Sequence, residues 1–231
     1  VVTGLGLIGL MTAPLLKANG CNVIGIDFDQ SKLDIAETFG IQTINPASGD
    51  DPVKTVNELT NGIGADGVII TASTKSNDVI SQAAQMSRKR GRIVLVGVIG
   101  LDISRADFYE KELTFKVSCS YGPGRYDDTY EQQGQDYPLP FVRWTEKRNF
   151  EAILNAISTQ AIDVKSLITE IVDLENYKEI YGEIGNSKAI ASILNYKGSE
   201  YSNTVSITKP ESKTNTSANK GIAIIGAGNF T

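Results

Sequence analysis

Histidine is absent from this chain. Its absence removes the side chain that most often serves as a general base near neutral pH, and the commonest zinc ligand. Cysteine is scarce: Cys21 and Cys119 stand alone, without ligand-forming neighbours. Two isolated thiols write neither a disulfide framework nor a metal lobe, and they fit a reducing, cytoplasmic setting. No apolar run approaches the roughly 18 residues of a membrane-spanning helix, and no secretory leader is expected. Basic clusters are few, Arg88-Lys89-Arg90 being the densest, and the net charge is −5. Neither nucleic acid nor a membrane is an expected partner.

What is present suits a folded domain. The 231 residues are 41% hydrophobic and 21% charged, a globular balance. The first strong signal is Val1-Val2-Thr3-Gly4-Leu5-Gly6-Leu7-Ile8-Gly9, two β-branched residues running into G-x-G-x-x-G. An apolar helical pattern follows over residues 7–19, and Gly20 closes it. In such a strand–turn–helix, Gly4 allows the tight turn, Gly6 admits a pyrophosphate close to the backbone, and Gly9 lets the helix lie on the strand. The helix N-terminus offers unpaired N–H groups and a positive dipole end to the anion. A second strand, residues 22–27, ends in an acid. Asp27 lies 23 residues after Gly4 and 18 after Gly9, where a carboxylate can accept hydrogen bonds from the adenosine ribose. Asp29 is a poorer match in spacing. A carboxylate at this point repels a 2′-phosphate, so NAD is expected rather than NADP.

The alternation continues. Ser31 is expected to cap a helix ending at Phe39, and Gly40 to stop it. Strands are expected at 42–45, 67–72, 92–97 and 113–119, with helices at 52–60 and 76–87. Strands at this spacing, separated by helices, pair in parallel with right-handed crossovers, and their continuous apolar runs mean that both sheet faces are covered. The expected fold is α/β, a doubly wound Rossmann-type parallel sheet. Arg88-Lys89-Arg90 is expected as a solvated helix end that complements the dipole, and Cys119 as a small buried residue.

Beyond Ser120 the composition changes. Residues 121–140 are rich in Gly, Pro, Tyr and Asp. The stretch up to Thr145, with Arg125, Tyr126, Arg143 and Trp144, is either a surface loop packed on its own aromatics or a loop that binds a sugar or a partner. Thr145 is expected to cap a helix over 146–158. Strands at 167–174 and 188–196 flank a helix at 175–184. Residues 198–220 are polar and read as a linker. Residues 221–231 look like the start of another strand and glycine turn, and the whole chain reads as a fragment.

The ordered motifs T-G-L-G-L-I-G-L, V-I-G-I-D-x-D-x-x-K, G-A-D-G-V-I-I-T-A and R-G-R-I-V-L-V-G resemble the coenzyme-binding half of medium-chain, zinc-type alcohol and polyol dehydrogenases. The resemblance covers residues 1–197, the expected NAD-binding domain with its returning C-terminal segment. The tail around Ile222 to Phe230 resembles the opening of a Gfo/Idh/MocA module, as in bi-domain oxidoreductases, although Thr231 stands at its third glycine position.

The resemblance implies a cofactor site of Gly4, Gly6, Leu7, Ile8 and Gly9 at the pyrophosphate, with Asp27 on the ribose. It implies Lys32 beside that ribose, though a solvated helix-start lysine is an equal reading. It implies Thr71, Ala72 and Ser73 beside the adenosine, Val96, Gly97 and Val98 under the nicotinamide, and Ser118, Cys119 and Ser120 at the carboxamide. The family's catalytic domain, with its Cys/His/Glu zinc ligands, has no counterpart in these residues. Zinc and catalytic residues are therefore not expected here. The implied activity of the full protein is hydride transfer to or from an alcohol, polyol or sugar. A non-catalytic nucleotide sensor or a scaffold, including a homodimer through the sixth strand, is the alternative.

Overall fold

Six short strands hydrogen-bond side by side into one parallel sheet: β1 (Val2–Thr3), β2 (Ile24–Ile26), β3 (Gln42–Ile44), β4 (Ala65–Ile70), β5 (Ser87–Leu95) and β6 (Thr114–Val117). Their order is β3-β2-β1-β4-β5-β6 in a computed structural model that describes residues 1–183 and 188–198. The expected linker beyond Gly198 and the second glycine turn at 221–231 lie outside the described residues. The sheet is the doubly wound arrangement expected from the sequence. Its chain order reverses beside β1, which pairs with β2 on one side and β4 on the other, Val2 lying opposite Gly25 and Ile69. Open parallel sheets bind ligands at this switch point, outside the carboxyl ends of the strands.

Two apolar clusters sandwich the sheet. One joins Leu10 and Ala13 of α1 (Leu7–Ala18) with Leu33 and Ala36 of α2 (Gln30–Thr38), over Val2 and Leu5. The other joins Val56 of α3 (Pro52–Leu59) with Ile80, Ala83 and Met86 of α4 (Asp78–Met86), over Val68, Ile70, Ile93 and Leu95. Full burial of the valine, leucine, isoleucine and methionine side chains among them stabilises the fold by about 1.5–3 kcal/mol each. Short α5 (Arg105–Tyr109) precedes β6. Beyond the sheet come α6 (Asp128–Glu131), α7 (Glu146–Ser158), and a separate parallel pair, β7 (Ile168–Asp173) with β8 (Ala191–Asn195), with α8 (Tyr177–Glu183) between them in the chain. Among the described residues no helix is long and apolar enough to cross a membrane.

Four local expectations are corrected. Ser31 does not cap α2: Asp29 is the N-cap, and its Oδ1 accepts from Ser31 N at 3.0 Å and Ser31 Oγ at 2.7 Å. Arg88-Lys89-Arg90 is not a helix end. It belongs to β5, where Arg88 Nε meets Asp66 at 2.5 Å and Arg90 Nε meets Glu112 at 2.9 Å. The cation at the C-terminus of α4 is Lys111, whose Nζ donates to the carbonyls of Ala84, Gln85 and Ser87. Cys119 is exposed, not buried. Thr145 does occupy the N-cap position of α7, but its buried hydroxyl makes no cap bond and has no partner among the described residues.

The cap assignment is testable by urea unfolding. Asp29→Ala is expected to cost about 1 kcal/mol, and Ser31→Ala clearly less. The hydrogen bond from Ser31 holds the Asp29 carboxyl below its usual range. The cap contribution is therefore present above the ordinary carboxylate range and lost as pH falls through the lowered value. Equal costs for the two variants would overturn the assignment.

Candidate functional site

The glycine turn is welded to the ends of three strands. Gly4 N donates to Ile26 O at 2.8 Å. Leu5 N donates to Asp27 Oδ2 at 2.6 Å, while Asp27 Oδ1 accepts from Asp29 N at 2.9 Å. From the other side, Thr71 Oγ1 donates to Gly4 O at 2.5 Å, and Ala72 N to Thr3 O at 3.0 Å.

The three glycines differ in what they permit. Gly4 has φ +92°, and a Cβ there would lie 2.6 Å from Ala72 N. A Cβ on Gly9 would strike the Gly4 carbonyl, so helix and turn are in direct contact. Gly6, the N-cap of α1, has an ordinary φ of −65°, and a Cβ there would meet nothing within 4 Å. Gly6 faces open space beside a helix start that carries no acidic residue in its first turn and no side-chain cap. The first N–H groups of such a helix have no intrahelical acceptor.

That space opens into a cavity of about 700 Å³. Gly4, Gly6, Asp27, Lys32, Thr71, Ala72 and Ser73 line it, seven of the residues singled out from the sequence. Thr3 also lines it, with a buried hydroxyl that has no partner among the described residues. Lys32 Nζ stands 3.9 Å from Asp29 Oδ2.

The remaining candidates are not part of this lining. Leu7, Ile8 and Gly9 form the first turn of α1. Val96, Gly97 and Val98 continue β5: Gly97 N donates to Ile70 O at 2.9 Å, and Val98 bridges to Ser73. Ser118 N donates to Leu95 O at 2.8 Å, and Cys119 and Ser120 follow it. Residues 96–98 and 118–120 follow the carboxyl ends of β5 and β6, at the same sheet end as the glycine turn after β1. Sequence reading missed Phe28, Pro46, Thr74, Ser76, Val79 and Gln82, which also line the cavity. Phe28 could have been flagged as an exposed aromatic next to the strand-end acid; it is 72% exposed. The others arrive only through the crossovers that follow β3 and β4.

A metal does not fit the donor set. Among the described residues no group of three or more His, Cys, Asp or Glu could hold one. Cys21 precedes β2 and Cys119 follows β6, at opposite ends of a parallel sheet.

The segment after β6 forms a separate cluster of paired polar side chains. Glu131 accepts from the Tyr121 hydroxyl and from Arg125 Nη1, the latter at 2.6 Å. The Tyr137 hydroxyl donates to Asp127, the N-cap of α6. Arg148 Nη2 reaches Asp136 at 2.8 Å and the Tyr137 carbonyl at 2.6 Å. Burial and the Glu131 hydrogen bond push the Tyr121 phenol up to about 12. The phenols of Tyr121 and Tyr137 in turn hold Glu131 and Asp127 below the usual carboxylate range.

Comparison with known proteins gives a consistent picture. The family model described as zinc-binding dehydrogenase matches residues 8–133. A sorbitol dehydrogenase of Halalkalibacterium halodurans is 26% identical over 199 residues, 84% of this chain and 50% of that protein. An NAD-dependent alcohol dehydrogenase of Sulfurisphaera tokodaii is 33% identical over 99 residues, 42% of this chain and 28% of that protein. The crystal structure of 2R,3R-butanediol dehydrogenase from Bacillus subtilis superposes with a TM-score of 0.63 at 25% identity, covering 81% of this chain and 47% of that one. The chain spans about half the length of the curated relatives that match most of it.

The phenol–carboxylate pairs have a titration signature. A raised phenol pKa means that the bond from the protonated phenol to the carboxylate stabilises below the ordinary tyrosine range and is lost as pH rises through about 12. Phenolate absorbance is expected to show a late step near that value, which Tyr121→Phe removes. A late step unchanged by the substitution would refute the pairing.

Proposed function

The chain belongs to the zinc-binding dehydrogenase family, and from that premise we propose that it is the NAD(H)-binding part of an oxidoreductase that moves hydride to or from an alcohol, polyol or sugar. One observation carries the reading: a cavity at the switch point whose lining joins the open Gly6 backbone to the Asp27 carboxylate. The chemistry of that lining fits a dinucleotide. The α1 N-terminus suits the pyrophosphate. Asp27 uses two acceptor positions on Leu5 N and Asp29 N, and a carboxylate has about four, which leaves two for ribose hydroxyls. Thr3 brings an orphaned hydroxyl, and Phe28 an exposed ring at the same cavity for the adenine face. Leu7, Ile8 and Gly9 would flank the pyrophosphate. Residues 96–98 and 118–120 would carry the nicotinamide end, and Lys32 would flank the ribose.

Bound NAD supplies the hydride acceptor, and NADH the donor, at the nicotinamide C4. This chain's residues bind and orient it. NAD is favoured over NADP because Asp27 places negative charge where a 2′-phosphate would sit. The sorbitol and alcohol dehydrogenase relatives support an alcohol or polyol substrate for the whole protein. Residues 221–231 resemble the start of a Gfo/Idh/MocA module, and a bi-domain, cytoplasmic oxidoreductase is the whole-protein arrangement that this reading favours.

Two measurements test the cofactor reading. Gly6→Ala is expected to cost no more than about 1 kcal/mol of stability, as a change of N-cap residue with room for the methyl, and to weaken NAD binding by roughly tenfold or more in calorimetry. Gly9→Ala is expected to cost about 1–3 kcal/mol of stability through overpacking. NAD affinity unchanged in Gly6→Ala would sink the pyrophosphate assignment. Asp27→Asn is expected to narrow the preference for NAD over NADP by about tenfold or more; an unaltered ratio would exclude Asp27 as the discriminator.

A further inference from the structure

A cavity of about 530 Å³ in the segment after β6 shares no lining residue with the cavity at the switch point. Its floor is built and held. Tyr130 lies between Tyr121 and Tyr137, with ring centroids 6.3 Å and 5.7 Å away. Gly124 makes this possible: its φ is +100°, and a Cβ there would sit 2.5 Å from the Tyr130 ring. Tyr126 and Ser120 carry φ of +68° and +38° without being glycine. Such conformations persist only where the surroundings over-determine them. Here the Glu131–Tyr121–Arg125 cluster and the Asp127–Tyr137 and Asp136–Arg148 pairs do so.

These pairs consume most of the floor's charge. Two lining groups remain without a protein partner among the described residues, the Gln132 amide and the Glu146 carboxylate. Lys147, also in the lining, leans toward Glu151 at 3.9 Å. The cavity therefore offers tyrosine faces, one amide with donors and an acceptor, and one acceptor carboxylate, over a cation already neutralised by Glu131. The lining carries three carboxylates, Glu131, Asp136 and Glu146, against two cations, Arg125 and Lys147, both of which already face carboxylates, so an anion would meet net negative charge. A neutral molecule with a C–H face and several hydroxyls matches every one of these groups.

The lobe begins at Tyr121, immediately after Ser118, Cys119 and Ser120 at the carboxyl end of β6. We propose that this cavity binds a neutral sugar or polyol and serves as the substrate-recognition site of the dehydrogenase. Its role in substrate recognition rests on the cofactor reading above; the binding itself does not.

Saturation-transfer NMR on the full chain tests it, with sorbitol and methyl glucoside as neutral probes and gluconate as the anionic counterpart. NAD binding is measured by calorimetry on the same samples. Saturable transfer to a neutral probe at millimolar concentration is expected, with gluconate weaker. Tyr130→Leu is expected to weaken binding roughly tenfold. Gln132→Ala and Glu146→Gln, which leave the tyrosine row and its ion pairs in place, are each expected to weaken it about three- to tenfold. NAD affinity is expected to stay unchanged in all three. No saturable transfer from either neutral probe, tighter binding of gluconate, or full affinity in both Gln132→Ala and Glu146→Gln overturns the proposal. Sugar binding without NAD binding would support this cavity as a sugar site and remove the cofactor reading, and with it the role in substrate recognition.

Discussion

The hydrogen bond from Leu5 N to the Asp27 carboxylate, at 2.6 Å, is the constraint on which the site depends. It fixes the glycine turn to the end of β2, while Thr71 fixes the same turn to the end of β4 from the opposite side. A turn held from both sides has no slack. Helix α1 must start where it does, and only a residue without Cβ fits at Gly4 and Gly9. Gly6, left outside the clamp, faces the open cavity. The same hydrogen bonds that order the backbone also set Gly6, at the start of α1, on the cavity wall.

Much of this was legible in the sequence, for identifiable reasons. A parallel sheet between helices writes itself as short apolar runs at regular spacing, and all six strands were found. The glycine spacing and Asp27 were found because the turn leaves almost no alternative residues. The errors arose where two neighbours compete for one role. Ser31 and Asp29 are both good caps, and only the entry angle of the chain selects Asp29. Arg88-Lys89-Arg90 and Lys111 are both cations near the end of α4, and nothing local says that Lys111 returns to it from the far side of β5. The part of the cavity lined by Thr74, Val79 and Gln82 was not legible, because crossover geometry and not spacing brings those residues in.

The lobe after β6 was legible only as a composition. Tyrosines, glycines and acids in a loop announce no arrangement, since the pairing of Tyr121 with Glu131 and of Tyr137 with Asp127 depends on backbone turns that glycine and strained residues set. Its order does not come from an apolar core, for none of the residues of α6 or α7 is buried. It comes from satisfied polar pairs, whose strength grows with mutual support and with exclusion of water. A polar, preorganised surface of this kind can be kept ready for a hydroxylated ligand without reorganising on binding.

The two halves of the proposed cofactor path are unequally enclosed. At β1, β2 and β4 the cavity has walls on several sides, from Asp27 through Thr71 to the start of α4. At β5 and β6 the strand ends present exposed apolar side chains, Val96 at 39%, Val98 at 73% and Val117 at 54%. Affinity follows burial and satisfied polar contacts, so the adenosine and pyrophosphate half supplies most of the binding free energy in the proposed complex. The nicotinamide half, where hydride would move, gains from this chain chiefly position. Position without enclosure does not exclude water, and hydride chemistry benefits from a dry site. In this chain the tyrosine lobe follows that open end directly in sequence, beginning at Tyr121 after Ser120.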